Sequence, residues 1–253
     1  MRRPRRVRKT ALTDVHCHVS AGDPAVREFL VGRDFFGVHP WETLERELDT
    51  GTLVAELRER LRENPSAGVG EIGLDRLKER DVSPNMRAVF EAQLRLAFEL
   101  GRPVVLHGAK CWGQVVKAFV ALRPRPASLL APPPSLFHGF SRSDGLIPDI
   151  VALGGYVSVG PAVLNDHAVN YRELVKKIPL ERLLLETDRT EASAPTCPQL
   201  SAVLAKVAEL RGLSPGELER LTDANASAFR LGTTSRAAIR SGGIPVSAAT
   251  ARR

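Results

Sequence analysis

Six apolar runs in this chain end on a histidine or a carboxylate, and that repetition constrains the fold more than any other feature of the sequence. The runs deliver His16 and His18, His39, Glu71, His107, His138 and Asp188. In the first, Asp14-Val15-His16-Cys17-His18, successive strand side chains point to opposite faces, so His16 and His18 project together and Cys17 away from them. Both imidazoles can then reach one metal ion; the alternative is a pair of histidines hydrogen-bonded in a core.

The segments between the runs read as helices. Leu44, Leu48, Leu53, Leu57 and Leu61 recur at helical spacing from Thr43 to Glu63, with a break expected at Gly51. Ser83 followed by Pro84 is an N-cap and first-turn signal for a helix burying Met86, Val89, Phe90, Gln93, Leu94 and Ala97. Gln114 to Leu122 is a third helix, another follows His138 through Leu153, Cys197 to Arg211 is helical, and Ser214 with Glu217 forms a capping box for a final helix through Leu231. Strands are expected at Leu12–His18, Phe35–Val38, Ala67–Leu74, Pro103–Leu106, Leu136–His138, Tyr156–Val159 and Leu183–Asp188. The proline-rich stretch from Arg123 to Pro134 is a loop. Strands alternating with helices imply parallel βαβ units. The expected fold is α/β, a (β/α) TIM-type barrel, distorted, with seven to eight strands, the eighth hidden within residues 19–34 or absent.

At 253 residues the chain suits a single barrel. The expected organisation is a disordered basic arm over residues 1–9, one barrel domain over 10–231 and a disordered tail over 232–253. The net charge of +7 belongs to the ends: residues 1–9 carry six basic groups and residues 236–253 four, with no acid in either, so +7 minus +10 leaves the body at −3. A basic face on the folded part is therefore not required. Cys17, Cys111 and Cys197 are odd in number and in no metal-binding spacing, which argues against a disulfide framework or a thiolate zinc site. No apolar run approaches the roughly 20 residues that span a bilayer. The N-terminus lacks the apolar stretch of a secretory signal, and a cytoplasmic location is expected.

In a barrel the C-terminal strand ends converge on one mouth, where active sites of this architecture sit. Four histidines, His16, His18, His107 and His138, would meet Glu71 and Asp188 there. Four nitrogens with bridging carboxylates suit two divalent ions better than one. Mixed ligation of this kind fits zinc, manganese or iron, and magnesium where waters complete the shell.

The blocks His16-x-His18, Gly37-Val38-His39-Pro40, Gly70-Glu71-Ile72-Gly73-Leu74-Asp75, Pro103-Val104-Val105-Leu106-His107, Phe137-His138-Gly139-Phe140-Ser141 and Leu184-Leu185-Glu186-Thr187-Asp188 resemble the signature blocks of the TatD family of metal-dependent hydrolases, in family order. Asn225 to Leu231 resembles the family's closing helix. The resemblance implies a distorted barrel of the amidohydrolase superfamily and metal-dependent DNase activity, including 3′ to 5′ exonuclease action on single-stranded DNA or 3′ ends. It also implies that His16, His18 and Asp188 hold one metal and His107 and His138 the other, with Glu71 bridging and Asp188 as the base for the attacking water. The chain departs from the pattern at Ala109, where an arginine is usual and Lys110 stands beside it, and at Arg189-Thr190-Glu191, residues expected to shape the substrate mouth. Two other functions share these residues: a hydrolase of amides, lactones or small phosphoesters, and a nucleic-acid-binding protein without turnover.

The remaining polar and aromatic residues divide between roles. His39 is a phosphate contact or a structural turn residue, and Lys110 a phosphate-binding cation or a solvated lysine. Trp41 and Trp112 either stack on bases or seal the barrel top. Asp75 supports the site or caps a turn, and His167 is a surface residue. The basic arm makes a separate expectation: deleting residues 1–9 should weaken association with DNA and flatten its salt dependence, while turnover of a short phosphodiester hardly changes. Slopes of log affinity against log salt that are equal for the full and truncated chains would leave the arm without that role.

Overall fold

The computed structural model describes residues 12–123, 132–192 and 196–231; the expected basic arm, C-terminal tail and most of the proline-rich loop lie outside them. Among the described residues there are eight parallel strands: β1 (Leu12–Cys17), β2 (Val26–Leu30), β3 (Phe35–Phe36), β4 (Gly68–Asp75), β5 (Val104–Ala109), β6 (Ser135–Phe137), β7 (Gly155–Val159) and β8 (Leu183–Leu185). The eighth strand is β2, inside residues 19–34. Strands β3 to β8 form one sheet in sequence order and β1 pairs with β2. A single parallel bridge from Val31 to Phe35 joins the two pieces. The result is a distorted barrel.

The helices follow their caps. Helices α1 (Glu42–Glu45) and α2 (Thr50–Glu63) replace the one broken helix expected from Thr43 to Glu63. The break falls before Gly51, because the Asp49 side chain accepts a 2.7 Å hydrogen bond from the Thr52 N–H and starts a new helix there. In α3 (Pro84–Leu100) the Ser83 hydroxyl accepts from the Met86 N–H at 3.0 Å, and Gly101 ends the helix in the left-handed region. Helices α4 (Trp112–Leu122), α5 (Ile147–Ala152), α6 (Val169–Lys177) and α7 (Thr196–Arg211) follow. The last, α8 (Pro215–Leu231), opens on the expected box: the Ser214 N–H donates to Glu217 Oε2 at 2.9 Å and the Glu217 N–H to Ser214 Oγ at 3.3 Å.

A buried cluster of Val15, Phe29, Phe35, Val105, Leu136, Tyr156 and Leu184 takes one residue from each of seven strands and therefore marks the barrel interior. Phe229 of α8 completes it, stacked on Phe35 and edge-on to Tyr156, each at 5.9 Å. Only β4 contributes no side chain at this layer. Gly70 stands there, and a Cβ on it would lie 2.7 Å from Val105 Cβ. The larger second cluster joins outward strand residues such as Val69, Ile72, Val104 and Leu106 to the helices.

Two register irregularities interrupt the ladders. Against β2, β1 takes three steps (Asp14 to Cys17) where its neighbour takes two (Glu28 to Leu30). Against β5, β4 takes three steps (Val69 to Ile72) where its neighbour takes two (Val104 to Leu106). Such bulges re-aim side chains, and these two fall on His16 and Glu71.

The barrel closes between β8 and β1 without a regular ladder. The Asp188 N–H donates to the His16 carbonyl at 3.0 Å and the His18 N–H to the Arg189 carbonyl at 2.8 Å. Below them the buried Asp14 carboxylate accepts from the Thr187 N–H at 3.0 Å and from the Thr187 hydroxyl at 2.5 Å. This is why β8 stops at Leu185 instead of reaching Asp188 as expected: the chain turns toward β1. Burial raises the Asp14 pKa from its ordinary 3.8 to about 6, the Thr187 hydrogen bonds opposing. A carboxyl whose folded pKa exceeds its unfolded one contributes most below the unfolded value and progressively less through the folded value. Asp14→Ala should therefore lower unfolding free energy by about 2 kcal/mol near pH 4, with the gap to wild type narrowing toward pH 7. Urea melts across that range check it, and a gap that widens with pH would contradict the assignment.

Candidate metal centre

The strand ends bring His16, His18, Glu71, His107, His138 and Asp188 to one mouth. Glu71 is at the centre, 2% exposed. Its Oε2 lies 3.3 Å from His16 Nε2 and 3.4 Å from His18 Nε2, while its Oε1 lies 2.6 Å from both His107 Nδ1 and His138 Nε2. Asp188 Oδ1 faces the first pair, 3.5 Å from His16 Nε2 and 3.6 Å from His18 Nε2.

The first group has the dimensions of a ligand shell. Separations of 3.3–3.6 Å are too long for good hydrogen bonds, yet each is the distance expected between two ligand atoms that both lie about 2.1 Å from one tetrahedral ion. Both ring nitrogens of His16 are buried without a hydrogen-bond partner, a costly condition that a cation at Nε2 relieves. The second group is contracted, with Glu71 Oε1 hydrogen-bonded directly to His107 and His138.

The electrostatics agree. Burial alone would raise the Glu71 pKa, but His138, His107 and His16 around it hold the carboxyl well below its usual range. Asp188 and Glu71 raise His18 to about 9, and Glu71 raises the fully buried His138 to about 10 against the pull of burial. Desolvation and the neighbouring His138 lower His16. The carboxylates thus concentrate negative charge that either imidazole protons or a divalent cation can balance.

Two further carboxylates stand behind these residues. His107 is pinned from its far side, its Nε2 2.7 Å from Asp75 Oδ2; Asp75 is buried and also accepts from the Leu77 N–H at 2.5 Å. Asp75 therefore does both things expected of it, capping the turn at Leu77 with one oxygen and holding His107 with the other. Glu186 is buried behind His138, its Oε2 accepting from the Ser158 hydroxyl at 2.6 Å and its Oε1 from the Gly139 N–H at 2.8 Å. Burial raises its pKa to about 7, His138 opposing and Asp188 adding to the rise. Sequence reading assigned Glu186 no part, although strand alternation puts Leu184, Glu186 and Asp188 on one face.

Comparison with known proteins decides the family. Residues 26–230 match the family model for TatD-related DNases. The chain belongs to that family. Among curated relatives it is 30% identical over 201 residues, 75% of this chain and 74% of the relative, to a protein of Citrobacter koseri named 3′-5′ ssDNA/RNA exonuclease TatD. To the protein of that name from Erwinia billingiae it is 35% identical over 211 residues, 77% and 76% of the two chains. Among solved structures it superposes on the TatD homolog YJJV of Escherichia coli with a TM-score of 0.70 at 24% identity, covering 87% of this chain and 98% of that one. A phosphotriesterase homology protein from Escherichia coli shares the fold at a TM-score of 0.57 and 18% identity, over 81% and 74% of the two chains. The fold is the TatD type of barrel, and membership of the family implies divalent metal use.

The other candidate residues separate clearly in this TatD barrel. His39 joins the mouth, its Nε2 3.6 Å from Glu71 Oε1 and its ring 4.7 Å from that of His107. Lys110 is exposed beside His107 in a left-handed backbone conformation, φ 56°. Trp112 is buried against Phe137 and Phe140 and seals the barrel. Trp41 stays at the rim with the Lys78 ammonium 3.9 Å from its ring centre. His167 is exposed, as expected. Arg189 is a correction: its side chain is buried and its charge acts on Glu28 and Cys17, so it belongs to the barrel seam and not to the mouth. Among the described residues no helix is long and apolar enough to cross a membrane.

The spacing between Glu71 and His107 depends on close strand approach. A Cβ on Gly73 would sit 2.0 Å from the His107 carbonyl oxygen, and backbone cannot yield as a side-chain tip can. Gly73→Ala should destabilise the protein by at least about 2 kcal/mol. A thermal melt within a degree of wild type would show that the two strands can separate freely.

Proposed function

We propose that this chain is a metal-dependent phosphodiesterase that removes nucleotides from the 3′ ends of single-stranded DNA or RNA. The observation that carries the reading is the position of Glu71, whose two oxygens face two separate histidine groups, as a carboxylate bridging a pair of ions would. His16, His18 and Asp188 are assigned to one ion, His107 and His138 to the other, and Glu71 to both. Zinc, manganese and magnesium all suit this donor set. Divalent ions at such a site lower the pKa of a bound water and stabilise charge on phosphoryl oxygens.

The protein's own groups supply the rest. The Asp188 side chain is about half exposed (49%), turned toward the mouth with Oδ1 on the first histidine pair. It can take the proton of the attacking water as a general base. Asp75 fixes the ring orientation of His107 before substrate arrives, and Glu186 faces His138 Nδ1 from 3.9 Å as a buried negative partner. His39 and Lys110 are assigned to the phosphate, Lys110 as a point charge at the rim. The direction and strandedness are proposed on the strength of the curated relatives' name, 3′-5′ ssDNA/RNA exonuclease TatD, and the protein is assigned to the cytoplasm.

The decisive assay is a 5′-labelled single-stranded oligonucleotide incubated with magnesium, manganese or zinc, beside a panel of esters and lactones. Stepwise shortening from the 3′ end is expected. Turnover of the panel with intact oligonucleotide, or oligonucleotide bound but uncut, would overturn the proposal. Glu71→Ala should abolish shortening and metal loading together, and Asp188→Asn should lower kcat by about 100-fold or more with metal largely retained. Metal analysis that finds no more than one ion per reloaded chain would remove the bimetal assignment.

A further inference from the structure

Two clefts open from the metal centre. One, of about 960 Å³, lies between residues 139–144 and helix α6; the other, of about 570 Å³, lies against residues 107–113. They share Gly139, Ser141, Arg142 and Asp188, so together they form one trough with Asp188 and Arg142 at its divide. Each has the size of a pocket that holds a small ligand, roughly 300–1,000 Å³.

The charges along the larger cleft are unequal. Its acids are nearly all satisfied within the protein: Asp144 by Lys177, Glu173 by Lys176 at 2.7 Å, and Glu186 by Ser158 and Gly139. Arg142 is exposed and has no ion-pair or hydrogen-bond partner among the described residues. With Lys177 paired, Arg142 is the cation left to meet an anion there. The wall beyond it offers Asn170 for hydrogen bonding and the exposed His167 ring and Val169 for face contact, a surface that suits a base without demanding which base.

The backbone gives a second, independent observation. Among the described residues only Lys110, Arg142 and Asp188 are non-glycine residues with positive φ, at 56°, 58° and 51°, and all three line the smaller cleft. Residues other than glycine adopt this region at a cost, and such outliers gather where side-chain placement matters for function. Glycine would fit position 142 better. Arginine there trades backbone ease for a guanidinium at the divide.

We propose that Arg142 is a substrate-binding residue that grips the phosphate next to the scissile one, seating the adjoining nucleotide in the cleft between residues 139–144 and α6. This rests on the phosphodiesterase reading. The guanidinium is the better group for the task, since its forked donors match phosphate oxygens in a bidentate way.

The test is R142G, which removes the charge and relieves the backbone, with R142K as the conservative partner. For a single-stranded oligonucleotide with metal present, R142G should raise KM about ten-fold while kcat changes less than two-fold, and R142K should recover part of the loss. With the wild-type and R142G proteins in chelator, equilibrium binding of the same oligonucleotide should show a salt slope shallower by about 0.7 for R142G, the value of one lost contact to a single strand's phosphate. R142G should melt at or above the wild-type temperature, which separates lost binding from lost structure. Wild-type protein that shortens the oligonucleotide while R142G leaves KM and salt slope unchanged overturns the inference alone. Wild-type protein that does not shorten it overturns this inference together with the reading beneath it.

Discussion

The Asp14 carboxylate and Thr187 hold together two parts of the chain that are 173 residues apart. Without that contact β1 and β8 have little in common, because no regular ladder joins them. Its two hydrogen bonds fix the level at which the chain after β8 meets β1, and just beyond it Asp188 and Arg189 are bonded to His16 and His18 through their backbone groups. Three of those four carry side chains of the candidate centre or its base. Closure of the barrel and alignment of the first ligand group are thus one event.

Around that seam the protein solves a problem of charge. Glu71 and Asp188 are acids in a site walled by imidazoles, with Glu71 almost wholly removed from water. Bare carboxylates so placed would take up protons. Here the surrounding histidines keep Glu71 ionised, and the carboxylates Asp75 and Glu186, a layer further out, fix or face the histidines in turn. The chain of acid, imidazole and acid from Asp75 through His107 to Glu71 shows the pattern most plainly, with both contacts at or below 2.7 Å.

Much of this was legible in the sequence because strand periodicity and strand-end polarity are local signals. The shared direction of His16 and His18 with Cys17 turned away, the capping residues Ser83 and Ser214, and the convergence of Glu71, His107, His138 and Asp188 on one mouth all read correctly from neighbours in the chain, although Glu71 and His107 lie within their strands and Asp188 lies past the end of β8. What escaped reading depends on partners far away. Asp14 looks like any polar residue opening a strand until Thr187 is beside it. The helix break at Asp49 was misplaced to Gly51 because glycine's low helix propensity is a stronger sequence mark than an aspartate cap. Arg189 was misplaced because its neighbour Asp188 faces the mouth, whereas one residue on, the chain has already turned into the seam. The bulges at His16 and Glu71 left no mark in the residue pattern at all.

The seam also sets the order in which the centre can be assembled. In chain order His16 and His18 come first, Glu71, His107 and His138 follow, and Asp188 comes last. A growing chain presents its N-terminal end first, and contacts across such separations form late because loop closure must precede them. A nascent fragment therefore carries histidines without the final carboxylate and without the Thr187 clasp that aligns them. Only when the chain has grown past β8 to Thr187 and Asp188 can the last carboxylate of the candidate centre join the imidazoles, and it arrives beside the clasp that closes the barrel.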